Sequence, residues 1–499
     1  AQQVERAFQL AWTRSRIELH HLHMQTAEAS LCHVLAGRVL YAPPMQAERA
    51  EALARGPYGQ SGLWPLGISG DLPIVLVKAH DASNAATAAE LVRCHEWLRR
   101  AGIVFDLVFL IESPGGYQQE LRDQLTRLIG QSVPRMYEGR PGNAYAFSAD
   151  QLREEERLQL AAAARIILRL DGSSLRAQLR VLAAADRKAA PAFSPAAGEA
   201  AEADKDAGFA DEAREGLLLW NGWGGFVPDG SEYRMVLPEG RSLPAPWSNV
   251  AANPDFGFLI TERGTGYTWF RNSREFKLTP WSNDPVLDPP GEACYIRDEE
   301  TGRFWSIAPA PAGGPGAAVV SHGRGYTRFE RRCFGIRQTM TVFAARQDPV
   351  KITEIRLVNA GDRPRRLSVT GYVSWVLGVS REDGAASVGT EWDGRALYAR
   401  NAWQETFRSE TAFLGIVADG GGGTGPAVFT ADRREFVGRG GSLAAPAAMR
   451  RRGLSGAAGR FADGCGAVQI AIELEPGAER TVCLLLGCGR DAEEARRLV

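Results

Sequence analysis

Apolar residues recur at three- and four-residue spacing through "VERAFQLAWTRSRIELHHLHM" and "AEASLCHVLAGRVLY", within residues 1–55, which predicts amphipathic helices. A continuous apolar run, "DLPIVLVKA" (71–79), then reads as a buried strand, and the helical "TAAELVRCHEWLRRAG" after it stops at Gly102. The unit repeats: "IVFDLVFLIES" as strand, "GYQQELRDQLTRLIG" as helix, "AYAFSAD" as strand and "QLREEERLQLAAAARIIL" as helix. Strand and helix alternating in this way predict a small parallel α/β layer.

The pattern breaks at "RKAAPAFSPAAGEAAEADKDAGFADEAREG" (187–216), which is rich in Ala, Pro and acid and too poor in large apolar residues to bury a core of its own. Beyond it, helical periods nearly vanish until residue 490. Short alternating runs take over, among them "EYRMVL", "RRCFGIRQTMTVFAA", "PVKITEIRLVNA" and "GAVQIAIELEPGAERTVCLLLG". Gly and Pro punctuate them at the spacing of a β-sandwich, roughly 8 to 12 residues. The expected organisation is a helical and α/β domain over 1–190, a linker over 191–215, a large antiparallel sandwich over 216–490 and the start of a helix over 491–499.

Composition narrows the classes. The 58 Lys and Arg nearly balance 59 Asp and Glu, leaving a net charge of -1, so nothing pulls the chain toward nucleic acid or anionic membrane. No apolar run is long enough to span a bilayer and no signal peptide opens the chain, so direct membrane contact is not expected. Both ends read as cut from a longer chain. The seven cysteines (Cys32, Cys94, Cys294, Cys333, Cys465, Cys483, Cys488) are odd in number without CxxC pairs, which reads as reduced thiols in the cytoplasm.

Tryptophan carries the candidate chemistry. Nine of the twelve lie in 220–403, and Trp220, Trp223, Trp247, Trp269, Trp281 and Trp305 are the densest group. An indole offers an apolar face to the C–H face of a pyranose and an N–H donor, while neighbouring Asn, Asp, Arg and Glu supply polar partners for hydroxyls. The bland alternative is that the rings fill the sandwich core. Trp247 in "PAPWSNVAANP" and Trp281 in "LTPWSNDP" sit beside turn residues and fit a surface platform better. The same Pro-Trp-Ser-Asn order also suits stiff corners, although Arg271, Arg274 and Glu275 are not required by a corner.

Asp284, Asp288, Glu292 and Asp298 could form a glycosidase pair across a cleft, or serve as acceptors in successive turns. His20, His21 and His23 lack the i, i+4 spacing of helical zinc sites, since position 24 is Met, and no metal or other cofactor is expected. His322 in "SHGRGYTRF" reads as a turn residue. "GISGD" (67–71) precedes its strand, the wrong order for a dinucleotide loop, and "DGGGGTGP" (419–426) reads as a hairpin loop.

Taken together, "LLLWNGWGGFVPDGSEYRMVL", "PAPWSNVAANPDFGFLITERGTGYTWFRNSREFKLTPWSNDPVLDPPGEACYIRDEETGRFWS" and "SHGRGYTRFERRCFGIRQTMTVFAA" resemble the N-terminal β-supersandwich of family 94 glycoside phosphorylases, formerly glycosyltransferase family 36. Within that group the likeness is to the carboxyl-terminal half of cyclic β-1,2-glucan synthases. "ELHHLHMQTAEASLCHVLAGRVLY" and "GQSGLWPLGISGDLPIVLVKAHD" look like the segment that precedes the sandwich there, so the likeness covers nearly the whole chain.

The resemblance implies an α+β multidomain chain ending in a galactose-mutarotase-like supersandwich. It implies a helical linker and an (α/α)6 barrel beyond Val499, and that barrel carries the general-acid Asp and most of the phosphate site in the family. No catalytic residue therefore carries over to this chain. In the family, loops of the sandwich help shape the sugar site, a role that maps onto Trp247, Asn249, Arg274, Trp281, Asn283 and Asp284. The implied partners are a β-glucan oligosaccharide and the missing catalytic barrel, with a homodimer as in related phosphorylases. The implied setting is the cytoplasmic part of a larger protein anchored in the bacterial inner membrane outside this segment. Three readings follow: a non-catalytic fragment of a glucan synthase, a stand-alone glycan-binding module, or an autonomous glycosidase using Asp284 to Asp298.

Overall fold

The computed structural model describes residues 2–41, 43–55, 59–80, 85–112, 117–132, 141–184, 208–419, 425–461 and 463–499. The chain divides into two units, Ala1–Lys188 and Ala189–Val499.

In the first unit, helices α1 (Gln2–His21), α2 (Thr26–Leu40) and α3 (Ala47–Ala54) lead into β1 (Ile74–Ala79), α4 (Ala85–Arg100), β2 (Asp106–Ile111), α5 (Tyr117–Ser132), β3 (Ala144–Ser148), α6 (Glu154–Ala163), β4 (Ala164–Leu170) and α7 (Leu175–Ala184). The strands pair in parallel in the order β3-β2-β1-β4. Val75, Val77, Leu107, Phe109, Ile166 and Leu168 of this sheet share a core with Leu31 and Leu35 of α2 and Leu91 and Trp97 of α4.

Two expectations are corrected here. Residues 151–168 do not form one helix: α6 stops at Ala163, Ala164 turns out of helical geometry at ψ 128°, and the following residues pair with β1. The helix-like "LQLAAAA" runs without a break into Ile166, Ile167 and Leu168, all of which are buried and of a type that favours a strand. The cysteines are not all reduced thiols either. Cys32 of α2 and Cys94 of α4 form a disulfide with Cα atoms 5.4 Å apart, while Cys294, Cys333, Cys465, Cys483 and Cys488 are free. Helices packed side by side bring together residues whose separation of 62 makes no local motif.

Residues 191–207 of the expected linker and 420–424 of the Gly-rich loop lie outside the described residues. The end of the expected linker is instead helical: α8 (Phe209–Arg214) buries Phe209 and Ala213, which share one helix face, against Val236 and Val319.

The strands of the second unit are β5 (Gly224–Phe226), β6 (Glu232–Leu237), β7 (Ser248–Ala252), β8 (Phe256–Thr261), β9 (Gly266–Phe270), β10 (Glu292–Asp298), β11 (Phe304–Trp305), β12 (Ala318–Gly323) and β13 (Tyr326–Cys333). They continue with β14 (Ile336–Ala344), β15 (Val350–Asn359), β16 (Arg365–Ser374), β17 (Val388–Trp392), β18 (Ala396–Asn401), β19 (Thr411–Ala418), β20 (Val428–Asp432), β21 (Gly464–Leu474) and β22 (Glu479–Gly489). Short helices α9 (Arg381–Gly384) and α10 (Arg433–Val437) interrupt them, and α11 (Ala492–Leu498) closes the chain, its first turn capped by Asp491.

One large sheet has the order β17-β18-β19-β22-β15-β14-β13-β12-β6-β5, a second β11-β10-β16-β21-β20, and a small third β7-β8-β9. Val320, Phe329, Met340 and Ile355 from the first face Ile296, Leu367, Val369 and Val468 from the second in one core. The sheets touch where Gly371 of β16 meets Leu484 of β22: a Cβ on Gly371 would lie 2.7 Å from that side chain. Phe256, Phe258 and Phe270 anchor the small sheet to the same core. No helix among the described residues is long and apolar enough to cross a membrane.

Candidate functional site

Alternation along β9 sorts "GYTWF" into two faces. Thr268 and Phe270 are buried, whereas Tyr267 and Trp269 are only partly covered. The register places Leu259 and then Val250 beside Tyr267, and Gly257 and then Ala252 beside Trp269. The outer face of the three-stranded sheet is therefore an apolar shelf with two rings at its edge. Trp269 lies down on the backbone of Gly257, where a Cβ would come 2.4 Å from Cζ2 of the indole. Gly257 is what lets the ring lie flat.

A third ring completes the shelf. Trp281 stacks on Tyr267, with centroids 5.2 Å apart and planes 26° from parallel, and Tyr267 meets Trp269 at 5.2 Å and 37°. The loop between β9 and Trp281 is held from several sides. Asn272 Oδ1 accepts from the N–H groups of Arg274 and Glu275, Phe276 stacks on Phe407 at 4.6 Å, and Lys277 Nζ donates to the carbonyls of Arg274 and Val379.

Beneath the shelf, Thr268 and Thr279 each donate a 2.6 Å hydrogen bond to Glu292 Oε1, and Glu292 pairs with the buried ammonium of Lys351. Lys351 Nζ also reaches Thr268 Oγ1 at 3.0 Å. This buried cluster fixes β9 to β10 of one large sheet and β15 of the other.

The six residues expected at a sugar site do not gather in one place. Trp281 is on the shelf. Asn283 and Asp284 follow it in a turn: Asn283 is left-handed at φ 50°, and Asp284 Oδ1 accepts from the N–H groups of Val286 and Leu287. Those two bonds hold the Asp284 carboxyl below its usual pKa. Arg274 points into solvent, 3.4 Å from Glu275. Trp247 belongs to another ring pair, with Tyr233 at 5.8 Å, and packs on the sandwich core. Asn249 is a structural tie whose Nδ2 donates to the carbonyls of Gly323 and Tyr326. Tyr267 and Trp269 are the members of the shelf outside that set of six, and the outward phase of β9 could be recognised only with Thr268 known to be buried.

Arg271, unexplained as a corner residue, forms an ion pair with Glu410 at 3.3 Å and lies over the Phe270 ring. The four carboxylates of the hydrolytic reading are each committed to the scaffold. Asp284 closes its turn, Asp288 accepts from Thr261 Oγ1 at 2.9 Å, and Glu292 takes Lys351. Asp298 pairs with buried Arg365 and accepts from the N–H groups of Glu300 and Thr301. Burial pushes Asp298 up, but the Thr301 bond and Arg365 overcome it and leave its pKa low.

The strongly perturbed carboxyl is Glu262, which the sequence reading did not single out. Burial, with a smaller contribution from the Asp288 charge, pushes it up to about 7 against the opposing bond from Trp247 N–H. At 1% exposure it is sealed from any substrate, so it is no general acid for a glycan. His322 is also structural, with Nε2 bonded to the Trp247 carbonyl at 3.0 Å and Nδ1 to Thr327 Oγ1 at 3.0 Å. Among the described residues no group of His, Cys, Asp or Glu is placed to hold a metal ion.

Comparison with known proteins agrees with the architecture of the second unit. The chain is 33% identical over 98% of its length to the cyclic beta-(1,2)-glucan synthase NdvB of Rhizobium meliloti, of which it spans 17%. It is 27% identical over 55% of its length to the N,N'-diacetylchitobiose phosphorylase of Vibrio furnissii, of which it spans 34%. It is 29% identical over 56% of its length to the solabiose phosphorylase of Paenibacillus borealis, of which it spans 36%. A putative aldose 1-epimerase from Escherichia coli K12 overlaps 49% of this chain and 99% of its own at 10% identity, with a TM-score of 0.27, too slight to bear weight. The family model described as "Glycosyl hydrolase 94, supersandwich domain" matches residues 231–499, more than half of the 499 residues, and the chain belongs to that family.

Proposed function

We propose that this chain is a non-catalytic part of a glucan-acting enzyme, whose supersandwich braces a catalytic barrel and lays the shelf of Tyr267, Trp269 and Trp281 against β-1,2-linked glucan. The observation that carries this reading is the stack of three partly exposed rings on a sheet anchored from below by Lys351 and Glu292. Flat rings match the C–H faces of pyranoses, and exposed Arg274 and Asn283 are available to sugar hydroxyls. The choice of glucan is supported by the near full-length similarity to a cyclic glucan synthase. A role without catalysis is supported by the scaffold duties of Asp284, Asp288, Glu292 and Asp298.

Calorimetric titration of linear and cyclic β-1,2-gluco-oligosaccharides into this chain tests the contact, with Trp281→Ala as the variant. Binding in the millimolar range or tighter that weakens at least tenfold in the variant is expected, consistent with about 1–3 kcal/mol for one stacked ring in a sugar site. Undiminished binding by the variant would remove the shelf from the reading.

A further inference from the structure

A concave site lined by none of the shelf residues lies at the entry to the β5–β6 hairpin. The turn "WNGWGG" is drawn tight by Asn221, whose Oδ1 accepts from the N–H groups of Trp223 and Gly224 at 3.0 Å, and Gly222 adopts φ 98°. Gly225 then passes so close to Leu218 that a Cβ would lie 2.6 Å from its carbonyl. This local geometry sets Trp220 and Trp223 around one cavity of about 310 Å³, walled also by Arg214, Val236, Pro238 and Arg241. Such a volume is at the lower end for ligand pockets, which run from about 300 Å³.

The polar side chains of that wall are all donors. Arg214 lies 4.8 Å over the Trp220 ring and Arg241 5.6 Å over the Trp223 ring. Among the described residues Arg241 has no carboxylate partner, and Arg214 has only Asp211 at 3.8 Å. Glu212 pairs instead with Arg332 at 3.1 Å and Glu239 accepts from the Gly316 N–H at 3.0 Å, while Glu215 is exposed and pairs with neither arginine among the described residues. Neither indole N–H has a partner among the described residues. A neutral sugar offers those donors only hydroxyl and ring oxygens, whereas an anionic group meets the guanidinium and indole donors with shorter, stronger charge-assisted hydrogen bonds.

We infer that this cavity binds a single saccharide unit carrying an anionic group, phosphate or carboxylate, with its ring against Trp220 and Trp223 and its charge between Arg214 and Arg241. The inference is independent of the shelf: neutral gluco-oligosaccharides probe that surface, charged monosaccharides this one.

The test titrates glucose 6-phosphate, glucuronate, glucose and inorganic phosphate into the whole chain, read by tryptophan fluorescence and calorimetry. At least one charged sugar should bind ten times more tightly than both glucose and inorganic phosphate, and the two charged sugars together tell which anion is preferred. Arg241→Gln and Trp220→Ala should each weaken that binding at least tenfold. Arg241 is exposed, so its variant keeps the fold, and a thermal midpoint of each variant checks this. Glucose or phosphate binding as well as the charged sugars, no binding of either charged sugar, or full binding by Arg241→Gln would each overturn the assignment.

Discussion

Glu262 and Trp247 hold each other by two hydrogen bonds: the Trp247 N–H donates to the Glu262 carboxyl at 2.8 Å, and the Glu262 N–H donates to the Trp247 carbonyl at 3.0 Å. The pair joins the strand entering β7 to the end of β8. Because Glu262 is buried, its carboxyl is pushed up to about 7 in the folded chain, from 4.5. The protonated form is therefore favoured by folding. Its stabilisation is fully present below pH 4.5 and is lost as pH rises through about 7. Wild type should lose about 3 kcal/mol more than Glu262→Gln between pH 4.5 and 8. Urea unfolding of both proteins at the two pH values checks this. Buried His95 and His322, which titrate in the opposite sense, are common to both proteins and cancel in the comparison.

Lys351 and Glu292 form a buried pair under the shelf, and removing one partner leaves the other charged and unmatched. Lys351→Met should cost about 3–5 kcal/mol. Replacing both residues with apolar ones of similar size should recover much of that loss, since no lone charge remains. Thermal unfolding of the single and double variants distinguishes a charge-pairing role from simple packing.

Much of this scaffold was legible in the pattern of apolar residues, and its failures have identifiable causes. The runs that became β1 and β2 are apolar except for Lys78 and Asp106 near their ends because both faces of that sheet are covered, and the short alternating runs after residue 216 became antiparallel strands. The strand "ARIILRL" was hidden because an Ala-rich helix abuts it without a turn signal. The shelf was half visible: "GYTWF" alternates, but both of its faces carry aromatic rings, so the alternation does not say which face is buried. Trp247 and Trp281 share a local sequence yet differ in surroundings, because Tyr233 and the sandwich core receive one ring and Tyr267 the other. Glu262 gave no signal at all, since its perturbation comes from tertiary burial.

The disulfide between Cys32 and Cys94 makes a countable prediction. Denatured but unreduced protein should show five reactive thiols, and reduction should raise the number to seven. With the two cysteines 62 positions apart in sequence, Cys94→Ser should destabilise the first unit by about 4 kcal/mol on the loop-entropy estimate. Seven thiols before reduction would show that the pair is open in solution.

Gly257 offers a way to disturb the shelf without touching a ring. Any side chain there would start 2.4 Å from Trp269 Cζ2 and 2.9 Å from the Ala252 Cβ. Its backbone is outside the left-handed region, so Gly257→Ala adds no conformational strain and acts through the clash alone. Its own strand, β8, is paired on both sides and anchored by Phe256 and Phe258, whereas Trp269 stands on the edge strand β9 and is partly exposed. The ring should therefore move rather than the sheet. Overpacking at such a place costs about 1–3 kcal/mol. Gly257→Ala should keep a cooperative unfolding transition, change the near-ultraviolet circular dichroism of the tryptophans, and lose β-1,2-gluco-oligosaccharide affinity to an extent comparable with Trp281→Ala. Altered dichroism with unchanged affinity would confine the sugar surface to Tyr267 and Trp281, with Trp269 serving only to hold Tyr267 in place.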